Sequence, residues 1–205
     1  MMNSAEPIVV PLSGPRTVPV EALRGAFDGL DAVRAAVRES QKRNDDVYLI
    51  AAFPANQTVY WNTTSGLSYN DVKAWAVNVF SPSSRRVYAM MVTAPDHVEN
   101  LGDSPADNDV IASAPMPLPK IGSMQAIGIA SRSNLIFADW KDFAIRQCYV
   151  HGKWNYVWYI PYRGKDSSPI TIDANSGQPI NDIQTTLLTI AMSSVTTINE
   201  KRNEE

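Results

Sequence analysis

Apolar residues change their period as the chain advances. Over residues 20–42, Leu23, Phe27, Leu30, Val33 and Val37 recur three or four apart, with Arg34, Arg38 and Glu39 between them. That spacing predicts an amphipathic helix, regular from Leu30 because Gly25 and Gly29 weaken its start. Asn44-Asp45-Asp46 ends it, and the chain switches to an almost continuous apolar run over 47–53, which reads as a strand. Pro54-Ala55-Asn56-Gln57 makes a turn and residues 58–62 a return strand. Asn70 or Asp71 is placed to cap a short helix running through Val79, because its side-chain oxygen can accept an orphan amide hydrogen. Residues 87–93 read as a further strand.

The pattern then breaks. Residues 95–119 hold Pro95, Pro105, Pro115, Pro117 and Pro119 with Asp96, Glu99, Asp103, Asp107 and Asp109. Such a stretch suits neither a helix interior nor a central strand, so it reads as an acidic linker or long surface loop. Apolar patterning resumes over 121–129. Asp139 can cap a helix over 139–147 that carries Trp140, Phe143, Ala144 and Gln147. Residues 153–160, Lys-Trp-Asn-Tyr-Val-Trp-Tyr-Ile, form the most β-prone run. A turn over 163–168 and a return strand over 169–173 follow. Ile183, Leu187, Leu188, Ile190, Ala191 and Val195 predict a final amphipathic helix.

Two stretches share one order. Val47-Tyr48-Leu49-Ile50 leads to Ser65-Gly66 and Asn70-Asp71-Val72; Val157-Trp158-Tyr159-Ile160 leads to Ser176-Gly177 and Asn181-Asp182-Ile183. The offset of about 110 residues is near half the chain, as a duplicated unit requires. The predicted fold class is therefore α+β, with two repeated modules, each a helix packed on an antiparallel β-hairpin. The expected layout is an extended arm over 1–20, a first module over 21–94, the linker over 95–119, a second module over 120–199 and a tail over 200–205.

Composition narrows the function classes. The chain has 205 residues, 44% hydrophobic and 19% charged, enough to bury a core without metal or disulfide support. Net charge is −3 and the basic residues are scattered, so the footprint of a nucleic-acid binder is missing. No segment is long and apolar enough to span a membrane. The start lacks the basic and apolar regions of a secretory signal, which places the protein in the cytoplasm as the chain stands, or outside it as a trimmed mature form. No glycine-rich phosphate loop and no Cys/His cluster occur, so no cofactor or metal is expected. The acids around 103–109 could wrap calcium, but they lack the spacing of an EF-hand and read as a solvated loop.

Residues 154–180 carry a resemblance. An aromatic strand, a turn and a return strand end in Asp173-Ala174-Asn175-Ser176-Gly177-Gln178-Pro179-Ile180. This resembles the C-terminal hairpin of the PepSY family, where a Tyr- or Trp-rich strand leads to Asp-Ala-x-Thr/Ser-Gly-x-hydrophobic. In the first copy, Tyr60-Trp61-Asn62-Thr63-Thr64-Ser65-Gly66-Leu67 has Asn62 where the family has Asp. The resemblance implies a binding or inhibitory module and not a catalyst.

Candidate chemistry is sparse. Cys148 and His151 stand three apart and would share a helix face, the minimum for a thiol–imidazole pair, but no orienting third group can be named. The lone cysteine reads otherwise as a small packed residue. In strand 153–160, Trp154, Tyr156 and Trp158 fall on one side. Aromatic rings with a polar handle serve as interface anchors, and the alternative is that they pack on the chain's own helix. The expected function is a non-enzymatic protein-binding or inhibitory module, with Trp154, Tyr156 and Trp158 supplying affinity and Lys153 and Arg163 supplying register. The partner would be another protein or a second copy of this chain. The alternatives are a structural subunit whose arm pairs with a neighbour's sheet, and a small enzyme using Cys148 and His151.

Overall fold

The computed structural model of the chain describes residues 27–55, 61–62, 66–67, 74–131, 143–150, 152–160, 169–180 and 186–187. The elements are α1 (Gly29–Gln41), β1 (Tyr48–Pro54), β2 (Trp61–Asn62), β3 (Gly66–Leu67), β4 (Trp75–Ser81), β5 (Arg86–Ala94), β6 (His97–Pro105), α2 (Asn108–Ile111), α3 (Ser123–Ser131), β7 (Ala144–Val150), β8 (Lys153–Ile160), β9 (Ile170–Asp173) and β10 (Thr186–Leu187).

One antiparallel sheet dominates. Its order is β6-β5-β4-β1-β7-β8-β9, with β10 pairing the part of β7 that β1 leaves free. A separate two-stranded ribbon joins β2 and β3. The expectation of two repeated helix-on-hairpin modules is contradicted, because the halves are fused through β1 and β7 into a single sheet more β-rich than that reading requires. One core cluster draws on both halves: Val33, Leu49, Trp75 and Val77 pack with Phe143, Ile145, Trp158 and Ile172. The matched sequence segments also occupy unlike places. Residues 47–50 enter β1, a central strand that follows a helix, whereas residues 157–160 close β8, the second strand of a hairpin.

Two expected helices are strands. The run Trp-Ala-Val-Asn-Val-Phe-Ser of β4 is buried at every position, which is what a central strand covered on both faces looks like. The stretch read as a helix over 139–147 becomes β7 from Ala144 on, with residues 139–142 outside the described set. Its side chains alternate between faces: Ile145 joins the main core, while Cys148 and Val150 join a second cluster with Val157. The final helix expected over 183–195 lies outside the described residues except for Thr186 and Leu187, which form β10.

The helix read from Leu30 onward is α1, with Arg34 and Arg38 exposed and Leu30, Val33, Ala36 and Val37 buried. The arm over 1–20 lies outside the described residues. The Pro-rich stretch carries β6 at the sheet edge, with Pro105 at its last position, where a missing N–H costs no ladder bond. Then Val110 of α2 packs under Tyr48, Ile50, Phe80 and Val87 on one face of the sheet. Met116, Leu118 and Ile121 pack against the core on the other face. The chain between them is an extended strap that crosses from face to face beside the start of β1.

A shared cap joins the two longer helices. The Asp28 carboxylate accepts from Leu30 N at 2.7 Å in α1, and from Ser123 N at 3.3 Å and Met124 N at 3.2 Å in α3. Ser123 Oγ accepts in return from Gly29 N at 2.9 Å. Each helix thus satisfies orphan donors of the other, interactions worth about 1 kcal/mol per cap. The close approach needs glycine: a Cβ on Gly29 would lie 2.7 Å from the Trp75 ring, and one on Gly122 would lie 2.7 Å from the Asp28 carboxylate.

Candidate functional site

The β7–β8 hairpin carries most of the residues singled out from sequence. Seven pairs join its strands, from Ala144↔Tyr159 to Val150↔Lys153. Next to the end of the ladder Gly152 takes φ +81, which costs glycine nothing. Trp154, Tyr156, Trp158 and Ile160 share the face on which α1, α3 and the strap lie.

The root of that face is core. Trp158 is fully buried, stacked on Phe143 with centroids 5.2 Å apart and edge-on to Trp75 at 6.2 Å. Its indole N–H donates to Ile121 O in the strap at 2.8 Å, so the buried polar atom is satisfied. Tyr156 is fully buried as well, and its hydroxyl donates to Leu49 O at 3.1 Å. Beside it, Gln147 Nε2 donates to Leu49 O at 2.9 Å and to Ala114 O at 3.0 Å. Tyr48 Oη bonds Ser113 O at 3.2 Å and shares a hydrogen bond with Ser113 Oγ at 3.0 Å. These side chains from β1, β7 and β8 fix the strap and bridge the place where β1 parts from β7. Burial pushes the Tyr156 phenol up to about 12, against the pull of the Gln147 hydrogen bond.

The tip of the same face is open. Tyr149 is 44% exposed, and its ring meets the half-buried Trp154 edge-on with centroids 5.4 Å apart. Among the described residues the large hydrophobic side chains classed as exposed are Tyr149 and Ile111. Lys153 is exposed next to the turn. Arg163, expected as a rim charge, lies outside the described residues. On the reverse face of the hairpin, the Arg146 guanidinium sits 5.5 Å from the centre of the Tyr159 ring. Tyr149 falls between the helix expected over 139–147 and the strand expected over 153–160, so sequence patterning gives it no face. Trp154, its partner across the hairpin, is the available signal.

Cys148 is buried on that reverse face against Val150, Val157 and Ile180. Burial pushes its thiol up to about 12, although Arg146 pulls the other way. At pH 7 the thiolate fraction is then about one in 10⁵, and a thiol attacks only as the thiolate. His151 lies outside the described residues. Of the acids considered for calcium, Asp107 caps α2 through Val110 N at 2.8 Å and Asp103 pairs with Arg86. Among the described residues no group of three or more His, Cys, Asp or Glu could hold a metal ion, and no helix is long and apolar enough to cross a membrane.

The Asp173–Gly177 signature works as turn chemistry. Asp173 Oδ1 accepts from Asn175 N at 2.9 Å and Ser176 N at 2.7 Å, and Gly177 takes φ +74. The chain then returns along β9, where Thr171 Oγ1 donates to Ile180 O at 2.7 Å and Ile180 N donates to Thr171 O at 2.8 Å. The outer edge of β9 is thereby covered, a common defence against unwanted pairing. Compared with known proteins, the chain matches no family model, no curated protein and no solved structure.

Proposed function

We propose that this protein is a non-enzymatic binding module whose contact element is the tip of the β7–β8 hairpin. One observation carries this reading: an aromatic pair, Tyr149 and Trp154, is held edge-on at the end of a rigid hairpin with the tyrosine open to solvent. The seven-pair ladder of β7 and β8 fixes the pair, so little side-chain freedom is lost when a partner covers it. Tyr and Trp are enriched among residues that dominate interface energies, and Lys153, at the same end of the hairpin on its other face, can fix register at the rim. Of the residues expected to bind, Trp154 and Lys153 stay available at this tip, while Tyr156 and Trp158 serve as the base that holds it.

Photo-cross-linking tests the proposal. A benzophenone side chain placed at position 149, in cells of the native source, should give a discrete protein adduct. The same probe at Ile111, the other exposed apolar residue, should not give that adduct. Equal adducts at both positions, or none at 149, would remove the hairpin tip as the contact element.

A further inference from the structure

We infer that the partner joins this protein as an extended strand, laid along the edge of β8 at Trp154; this rests on the binding reading above and names the form of the bound segment. Backbone direction argues for it. Ala174 N donates to Tyr156 O at 2.9 Å, so Tyr156 turns its backbone groups away from β7. Backbone direction alternates along an antiparallel strand, so Trp154, two residues away, points its N–H and C=O the same way. There β9 stops short. Its pairs with β8 run from Ile160↔Ile170 to Val157↔Asp173, and the chain then folds into the turn that Asp173 holds through Asn175 N and Ser176 N. Among the described residues no group bonds the Trp154 backbone on that side.

The other edges are closed or spoiled. The outer edge of β7 is taken by β1 at Ile145 and Arg146 and by β10 at Cys148 and Tyr149. The outer edge of β9 is covered by Pro179 and Ile180. The edge strand β6 shifts register twice against β5 and ends in Pro105, features that hinder further pairing. At Trp154 a donor and an acceptor stand on one strand edge, and another extended backbone satisfies both at once. The incoming residue opposite Trp154 shares the face of its ring and lies against the Tyr149–Trp154 pair. A β-branched or aromatic side chain suits that place.

A segment of another protein fits this edge, and a second copy of the chain does not. The bare stretch ends where Ala174 meets Tyr156, and a flexible segment can turn away there. A second hairpin laid antiparallel, Trp154 against Trp154, would bring its Gly152 opposite Tyr156, the position that Ala174 already holds.

Two short peptides probe the full chain, one alternating Thr with Val and one identical but N-methylated at each Val. In a ¹⁵N-labelled sample without peptide, the Trp154 amide should exchange with solvent faster than that of Asn155, which faces β7. The first peptide should shift the amides of residues 153–155 and slow exchange at Trp154. The methylated peptide lacks the donors and should bind about tenfold more weakly. Replacing the Trp154 amide by an ester keeps the ring and removes the N–H. It should weaken the first peptide to the same degree and leave the urea midpoint in place, because that N–H holds nothing within the fold. Equal binding of the two peptides, unchanged binding by the ester variant, or shifts confined to Tyr149 would each overturn strand addition. So would an absence of shifts with either peptide. Mass that rises with concentration when no peptide is present would overturn the choice of occupant in favour of a second copy. The cross-linking at position 149 decides the binding reading separately, because it detects contact whatever conformation the partner takes.

Discussion

The root and the tip of the β7–β8 hairpin carry similar residues on the same face, and the molecule treats them oppositely. Trp158 and Tyr156 are sealed under α3 and the strap, with each polar atom given a backbone carbonyl. Trp154, two residues beyond Tyr156 on β8, and Tyr149, its partner on β7, meet edge-on and stay partly open. Composition does not distinguish the two ends. What lies above the strand does. A packed aromatic stabilises the fold, and the same ring left uncovered is free to contact another molecule.

The largest contrast is expected in stability. Trp158→Ala removes a ring stacked on Phe143 and leaves Ile121 O without its donor, so it should cost about 3–5 kcal/mol, read as a fall in the urea midpoint. Tyr149→Ser should change the midpoint by no more than about 0.5 kcal/mol, the ordinary range for an open surface site. Similar losses at the two positions would erase the distinction between root and tip.

Asp28→Ala comes next. It uncaps α1 and α3 together and should cost about 2 kcal/mol, more than a single cap, because three amide donors lose their acceptor. A loss no greater than that of an ordinary surface substitution would show that the two helices do not depend on the shared carboxylate.

The sealed root should also respond to alkali. Cys148 and Tyr156 ordinarily ionise near 9.0 and 10.0, and burial raises each to about 12 in the folded chain. Both are neutral when protonated, so the folded state retains protons that the unfolded state has released. Stability from this source is intact below pH 9 and falls as pH rises from 9 toward 12. The urea midpoint should hold steady from pH 7 to 8.5 and then decline. Cys148→Ser should flatten the onset of that decline, and an unaltered slope would show that the thiol titrates as it does in the unfolded chain.

Trp154→Ala should fall between the losses at Trp158 and Tyr149. A half-buried ring leaves, so the midpoint should drop by about 1 kcal/mol while cross-linking from position 149 is lost. Retained cross-linking would limit the contact element to Tyr149.

Several parts of this arrangement were readable from residues alone. The helix from Leu30 and the sharing of one face by Trp154, Tyr156 and Trp158 follow from periodicity, and the strands at residues 47–53, 87–93 and 153–160 from apolar and β-prone runs. Patterning failed at two strands. Residues 75–81 are a short, mostly apolar run, and residues 144–150 place Arg146 and Gln147 side by side between apolar residues; neither alternates, and such short segments do not separate strand from helix. The single sheet was hidden for a different reason. Its halves join over just two residue pairs, Ala51↔Arg146 and Ala52↔Ile145, and alanine carries little signature of its neighbours. The apparent repeat matched local chemistry, strand to turn to Ser-Gly, across elements that hold different places in the sheet. At the candidate site, Trp154 and Lys153 were visible from strand patterning, whereas Tyr149 became visible only once β7 was known to be a strand.

Hydroxyl-radical footprinting read by mass spectrometry probes the division of the hairpin without altering a residue. In the isolated chain Tyr149 should oxidise fastest and Trp154 more slowly, with Trp158 and Tyr156 shielded. Added extract from the native source should then protect the first pair and leave the second as it was. Equal oxidation of Trp154 and Trp158 in the isolated chain, or a tip still fully reactive in extract, would contradict the view that this end of the hairpin is kept open for a partner.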